Sequence, residues 1–508
     1  MTTGRVYLVG AGPGDTGLIT VKGLDLLGRA DCVIYDGLAN AALLEHVRPE
    51  AEVINVQKRT GDHPIKQPAI NALLVEKAKE GKCVVRLKGG DPCLFGRAAE
   101  EVRACAAAGV RFEIVPGVTS GQAAAGYAGI FLTDRDRASA VAFVTGREAE
   151  GKTDSELDWA ALAAFCGTLV FYMAMGALRQ IARRLIERGK DPQTPVAVVY
   201  QATLPQQRRV EGSLADIAER CQAAQVGAPS IVIIGPVAQS DPAADWFMTQ
   251  PLFGKRVLMT RDREGNRKLA CLLRAVGAEP LAFDGIEVVN LADTPAVRQT
   301  LAEVGSFDWV IFTSANGVSA AFEGLAAIGR DARAFGPARV ACIGEQTAKR
   351  LRLYGITADF VPSAFTSYVM AEELAKLEAL AGRKILLLRS AIAPKDFPEH
   401  LTRHGAQITD TAVYTVRVKQ PDPRQVETIA QDLAADRMDW ITFTSSSTVR
   451  AFLEVISLET IKRSGVKIAS IGPATSVYLN SIGLAPTVEA RVHTIEGMVK
   501  AMEDSSKS

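Results

Sequence analysis

RVYLVGAGPGD, residues 5–15, decides how the rest of the chain is read. Its first part, Arg5 to Val9, is an apolar run with β-branched and aromatic residues. Its second part, Gly10 to Asp15, is a glycine-rich turn. A strand that runs straight into such a turn opens an α/β unit. Glycine there lets backbone approach a ligand with no Cβ in the way. A second turn, KGGDP (Lys88 to Pro92), follows Val84-Val85-Arg86-Leu87. Ligands of open α/β sheets collect at the carboxyl ends of strands. The first third of the chain therefore carries two candidate ligand loops.

Strand-like runs continue with CVIYD (Cys32 to Asp36), EVINV (Glu52 to Val56), CVVRL (Cys83 to Leu87) and AVAFVTG (Ala140 to Gly146). They go on with TLVFYM (Thr168 to Met173), VAVVY (Val196 to Tyr200) and SIVIIG (Ser230 to Gly235). Ala- and Leu-rich helix formers such as Ile70 to Glu80 separate them. The alternation predicts an α/β fold up to about Pro236. The rhythm fades at SDPAADWFMTQPLFG (Ser240 to Gly254). Two prolines and several polar residues predict a linker there, with Trp246 and Phe247 docked on a domain.

After the linker the chain repeats itself. GKRVLMTR (Gly254 to Arg261) matches GRKILLLR (Gly382 to Arg389), at an offset of 128. FDWVIFTSANGV (Phe307 to Val318) matches MDWITFTSSSTV (Met438 to Val449), at 131. VACIGEQTAKRL (Val340 to Leu351) matches IASIGPATSVYL (Ile468 to Leu479), at 128. The near-constant offset predicts a duplicated α/β unit of roughly 130 residues. Each copy supplies a Thr-Ser turn after a strand, Thr313-Ser314 and Thr444-Ser445. Each also supplies a Gly-x-x-Thr turn opening a helix, Gly344 to Thr347 and Gly472 to Thr475. Hydroxyls and helix N-termini receive carboxylates well. Two facing halves would make a cleft for a polyanion without a metal or nucleotide.

Composition narrows the class. At 508 residues, 48% hydrophobic and 23% charged, the chain reads as a multidomain globular enzyme. A formal charge of +1 gives no basic field for nucleic acid. No apolar run reaches membrane-spanning length. A strand starting at Arg5 leaves no room for a signal peptide, and the eight cysteines are scattered without a C-x-x-C. Together these predict a cytoplasmic protein with free thiols.

The first loop mimics a dinucleotide fingerprint, but Asp15 stands where a third glycine belongs and Pro13 interrupts. Asp36, ending the next strand, mimics the ribose-binding acid of that fold, so a nicotinamide-dependent oxidoreductase stays open on this loop alone. His400 and His404 stand four apart beside Glu399 on a helical stretch, which is metal-ligand spacing. No further ligands lie near them in sequence, so they read as a surface helix and no metal is expected.

The second loop adds context. GGDP followed by Leu94-Phe95-Gly96-Arg97, then PGVTS (Pro116 to Ser120), LTDRD (Leu132 to Asp136) and FYM (Phe171 to Met173), closely resembles the tetrapyrrole methylase family. Within it the match is to uroporphyrinogen-III C-methyltransferases, from about Arg5 to Val237. The duplicated region resembles uroporphyrinogen-III synthases. The two resemblances imply a bifunctional fusion: a methyltransferase domain at 1–239, a linker at 240–253 and a synthase domain at 254–508. The first is expected to have two α/β subdomains, the second two lobes from duplicated halves.

The resemblance implies S-adenosylmethionine as co-substrate, lined by Pro13, Gly89, Gly90, Asp91, Leu94, Thr119, Ser120, Met173 and Ala202. It makes Asp36 the proton acceptor and Lys58 the proton donor. Methyl transfer to a pyrrole carbon needs in-line geometry and later loss of a ring proton, so a positioned carboxylate fits. The sequence departs from the family pattern at Gln57 in Val56-Gln57-Lys58-Arg59, at Asp134, where histidine is usual, and at Cys93, where phenylalanine is common. Asp134 adds negative charge near an octacarboxylate site, so Arg86, Arg97 and Arg135 are the expected carboxylate ligands.

In the synthase-like region the resemblance makes Tyr414, in AVYTV (Ala412 to Val416), and Thr475 the reacting-site residues; Ser314, Thr347 and Ser445, from the hydroxyl turns of the repeat, are expected on substrate. A phenol can help a hydroxyl depart and steady a cation-like intermediate. The implied reactions are closure of hydroxymethylbilane with inversion of its last ring, then methylation of uroporphyrinogen III at carbons 2 and 7 to precorrin-2. That places the chain in siroheme or cobalamin synthesis, with small tetrapyrroles as its partners and a homodimer formed through the methyltransferase. A C-terminal region that only binds tetrapyrrole, without synthase activity, is the alternative.

Overall fold

The structure is a computed structural model describing residues 4–57, 65–147, 157–283, 285–364, 366–419 and 421–507. The opening stretch forms strand β1 (Arg5–Gly10), which enters a sheet with β2 (Cys32–Tyr35), β3 (Glu52–Asn55), β4 (Cys83–Lys88) and β5 (Arg111–Val115). The order is β3-β2-β4-β1-β5, and every pairing is parallel. Apolar cores cover both faces. Val6, Leu8, Ile34 and Val84 pack on one side, and Val9, Val33, Val85 and Leu87 on the other. Burial on both faces is why these strands read as continuous apolar runs.

The second sheet holds β6 (Val141–Thr145), β7 (Thr168–Tyr172), β8 (Pro195–Tyr200), β9 (Arg208–Ser213) and β10 (Ser230–Ile234), in the order β6-β7-β10-β8-β9. Here β10 runs antiparallel to both neighbours, as β9 does to β8, so the βαβ rhythm does not persist through this half. Strands β5 (RFEIV) and β9 (RRVEGS) carry no apolar run and escape a sequence reading. Both sit at sheet edges, where one side stays wet and little burial is needed.

Contacts divide the chain into two compact units. The first is Met1–Arg256 with Leu273–Glu279 and Ser506–Ser508; the second is Val257–Leu272 with Pro280–Ser505. The segment 240–253 packs on the first unit rather than running free. Phe247 is buried edge-on against Tyr127, with ring centroids 4.7 Å apart. Trp246 donates its indole N–H to the Gly126 carbonyl at 3.2 Å, and Asp245 pairs with Arg209 at 3.2 Å.

Two further sheets follow. The third takes β11 (Arg256–Met259) and β12 (Glu279–Ala282). The fourth takes β13 (Ile286–Asn290), β14 (Trp309–Phe312), β15 (Arg339–Cys342), β16 (Lys384–Ser390) and β17 (Gln407–Val418). The chain then returns to the third sheet with β18 (Trp440–Phe443), β19 (Lys467–Ser470) and β20 (Val488–Glu489). The orders are β12-β11-β18-β19-β20 and β13-β17-β16-β14-β15.

The repeat is therefore crossed. Strand β11 of the first copy pairs with β18 of the second, and β16 of the second pairs with β14 of the first. The registers are equivalent: Val257 faces Trp440 as Ile385 faces Trp309. The sequence shows two copies in succession, whereas each lobe is completed by two strands from the other copy, β11 and β12 in one and β16 and β17 in the other.

Candidate active sites

In the first unit the candidate site is built where strands end. The Gly12 carbonyl accepts from Gly90 N–H at 2.7 Å, which joins the loops after β1 and β4. Gly90 has φ 67°, a conformation that favours glycine. The loop after β5 is drawn in as closely: a Cβ on Gly10 would lie 2.6 Å from the Gly117 Cα. Asp91 locks the arrangement, its carboxylate accepting from Cys93 N–H at 2.8 Å and Gly117 N–H at 2.9 Å.

The ends of β7 and β8 close the other side. Tyr172 shares a 2.7 Å hydrogen bond with the Thr119 hydroxyl and accepts from Gly121 N–H at 2.9 Å. Burial holds the Tyr172 phenol above its ordinary pKa, so it stays neutral. Thr203 accepts from Asp15 N–H at 2.9 Å, and Tyr127 donates to the Asp15 carboxylate at 2.7 Å. Pro13, Gly89, Gly90, Asp91, Thr119, Met173 and Ala202 thus lie on loops that these bonds join, Ser120 opens the helix Ser120–Tyr127, and Leu94 and Ala202 pack against one apolar core. Asp15, Tyr127, Tyr172 and Thr203 were missed. The turn residue Asp15 was visible in the sequence, but its partners lie more than a hundred residues away.

Strain and apolar exposure mark the same loops. Phe95, Arg97, Met173, Gln201 and Thr203 all have positive φ, uncommon outside glycine. Leu38, Phe95, Phe143 and Met173 leave apolar surface open to solvent. Phe95 and Phe143 both flank Tyr172, at centroid distances of 5.0 and 5.9 Å.

Asp36 ends β2 beside this surface, with Leu38 against Gly89. Its carboxylate meets Arg86 at 3.2 Å. Arg86 is itself buried and bound to the fully buried Glu101 at 3.0 Å. Lys88 reaches the same Glu101 oxygen at 3.0 Å, and Gln67 at 3.2 Å. Burial, with Arg86 beside it, pushes the Lys88 pKa down. Arg86 was expected on substrate; its guanidinium is buried and bonded to Asp36 and Glu101. Arg97 is exposed and pairs with Glu100 at 2.8 Å, and Arg135 is exposed. Asp134 shapes a turn, accepting from Asp136 and Arg137 N–H. Lys58 lies outside the described residues.

Strand order removes the dinucleotide mimicry. A Rossmann sheet puts β2 beside β1, so its acid reaches the ribose next to the first loop. Here β4 lies between them, and Asp36 is bonded by Arg86 of β4.

In the second unit Tyr414 is buried on β17, and its hydroxyl shares a 2.9 Å hydrogen bond with Ser314. Ser314 also caps the helix Ala315–Ala327, accepting from Gly317 N–H at 3.0 Å. Ser445, its repeat mate, caps the helix Ser446–Leu453 in the same way. Thr347 and Thr475 are both buried in first helical turns. Thr347 was expected on substrate and Thr475 at the reacting centre; the structure places both among buried residues. His404 bonds Glu372 at 3.1 Å and His400 lies edge-on to Tyr368. Among the described residues no group of three or more His, Cys, Asp or Glu could hold a metal ion. No helix among them is long and apolar enough to cross a membrane.

Comparison with known proteins accounts for both units. Residues 5–218 match the family model of tetrapyrrole (corrin/porphyrin) methylases, and residues 267–500 match that of uroporphyrinogen-III synthase HemD. The porphyrin biosynthesis protein HemD of Ruminiclostridium josui is 34% identical over 499 residues, covering 98% of this chain and 97% of that protein. The uroporphyrinogen-III C-methyltransferase of Bacillus subtilis is 41% identical over 355 residues, covering 70% of this chain and 72% of the relative. The siroheme synthase of Pseudomonas fluorescens is 48% identical over 247 residues, covering 49% of this chain; the chain spans 53% of its length.

Proposed function

The chain belongs to the family in which a tetrapyrrole methylase is joined to a uroporphyrinogen-III synthase, and from that premise we propose that it carries both activities. The second unit closes hydroxymethylbilane with loss of water and inversion of the last ring. The first methylates the resulting uroporphyrinogen III at carbons 2 and 7, giving precorrin-2 and S-adenosylhomocysteine. The full-length match to a porphyrin biosynthesis protein carries this reading.

The first unit's loops fit S-adenosylmethionine. Met173 and Phe95 offer apolar faces for an adenine ring, and the glycine contacts at Gly90 and Gly117 leave little but backbone at the strand ends. When bound, the co-substrate supplies an electrophilic methyl group. Asp91 keeps the loops after β4 and β5 together, and Thr119 is oriented by Tyr172. Asp36, held by Arg86, takes the proton that the alkylated ring gives up. Lys58 is assigned the return of a proton. Arg97 and Arg135 meet substrate carboxylates. In the second unit Tyr414, supported by Ser314, steadies the departing hydroxyl and the charge that develops as it leaves. The domain bounds 1–239, 240–253 and 254–508, a homodimer through the methyltransferase and a cytoplasmic location complete the proposal, on the strength of the resemblance.

Incubation with hydroxymethylbilane and S-adenosylmethionine, with products identified by mass and isomer, tests it. Dimethylated type III product is expected. Type I product alone would remove the synthase, and unmethylated type III product would remove the methyltransferase.

A further inference from the structure

Among the described residues three buried polar atoms have no partner: Glu101 Oε2, Asp245 Oδ1 and Arg261 Nε. Glu101 and Asp245 each spend their other oxygen on an arginine, at 3.0 and 3.2 Å. Arg261 differs. Its backbone is tied to Asn266 at 3.0 and 2.8 Å, while its guanidinium bonds no described residue. A Cβ on Gly265 would overlap Nε, so the helix Arg263–Ala275 closes over the group.

The repeat shows what is missing. Arg389 lies 128 positions on, at the end of β16. There the guanidinium grips Asp410 on β17 at 2.6 and 2.5 Å, and reaches the Pro394 carbonyl at 2.6 Å. The same offset puts Ala282 of β12 at the place of Asp410. The duplication kept the arginine in both lobes and the acid in one. Leaving a half-buried guanidinium unpaired costs stability. Burial pushes the Arg261 pKa down against the pull of nearby Asp262 and Glu264, and Glu264 is engaged by Arg350 at 3.0 Å.

Position adds the ligand side. The Thr260 hydroxyl donates to the Thr442 carbonyl at 2.8 Å, which ties the end of β11 to β18. Arg261 therefore stands on the carboxyl edge that also carries Ser445 and the start of the helix Ser446–Leu453. We infer that Arg261 receives a carboxylate of the linear tetrapyrrole substrate, filling the place that Asp410 fills for Arg389. This rests on the synthase reading of the second unit.

The test compares Arg261→Met with Arg389→Met in the full chain. For Arg261→Met, KM for hydroxymethylbilane should rise about ten- to a hundredfold with kcat changed much less. Its thermal midpoint should stay at or above that of the parent, because no bond is broken. Arg389→Met should melt lower, since it strands Asp410. Arg261→Lys should recover part of the KM. An unchanged KM in Arg261→Met overturns the assignment, as does a melting loss matching that of Arg389→Met. If the unaltered chain makes no uroporphyrinogen III, the synthase reading fails. Titration with uroporphyrin III, an octacarboxylate, then decides Arg261: Arg261→Met should weaken its binding about ten- to a hundredfold, and an unchanged affinity overturns the inference.

Discussion

Asp36 and Arg86 meet at 3.2 Å across a sequence separation of 50, and the arginine is anchored from behind by Glu101 at 3.0 Å. The other Asp36 oxygen accepts from the Leu38 N–H at 3.2 Å, so both oxygens are held from the protein side. Asp36→Asn keeps the shape and removes the base. Methylation should slow by about 10²–10⁴-fold while calorimetry shows unchanged affinity for S-adenosylhomocysteine. Turnover within a few-fold of the parent would reject the role.

Asp91 makes two hydrogen bonds to backbone and so acts as a clamp between loops. Asp91→Ala leaves both N–H groups unpaired, at about 1–3 kcal/mol for each that stays buried. Lower urea stability and weaker S-adenosylhomocysteine binding are expected together. Weaker binding at unchanged stability would mean that the carboxylate touches ligand directly.

Tyr127 is held well above its ordinary pKa by burial and by its bond to Asp15. Its contribution to stability is therefore whole below the unfolded value of about 10 and is lost as pH rises through the folded value. Urea midpoints between pH 8 and 11 should fall less steeply for Tyr127→Phe than for the parent. Parallel curves would remove Tyr127 from the alkaline transition.

Tyr414→Phe should slow ring inversion more than it weakens bilane binding, since its hydroxyl is invoked as the leaving group departs. Type I uroporphyrinogen would accumulate. Ser314→Ala should produce a milder version and lose about 0.5–2 kcal/mol from its helix cap. Type III product at the parental rate from Tyr414→Phe would make the tyrosine structural.

The segment 240–253 buries Phe247 on Tyr127. A fragment ending at residue 253 should be more stable than one ending at 239, by about the 3–5 kcal/mol that losing a buried phenylalanine costs. Equal urea midpoints for the two fragments would mean that the docked segment adds nothing.

Sequence alone determined the α/β class, most strands, the duplication and the loops that carry the residues proposed for the methyl donor. These are local or periodic properties: apolar runs, glycine at strand ends and a fixed offset survive in one dimension. Edge strands such as Arg208–Ser213 escaped because little of them needs burial. Tertiary structure alone decided what depends on distant neighbours. It put β4 between β1 and β2, which brings the buried Arg86 guanidinium against Asp36. It crossed β11 and β16 between the lobes, since a strand pairs with whatever edge the folded chain presents, not with its neighbour in sequence. Two arginines written alike, Arg261 and Arg389, consequently differ in one respect that only folding reveals: Asp410 bonds the guanidinium of one, and the buried Nε of the other has no partner.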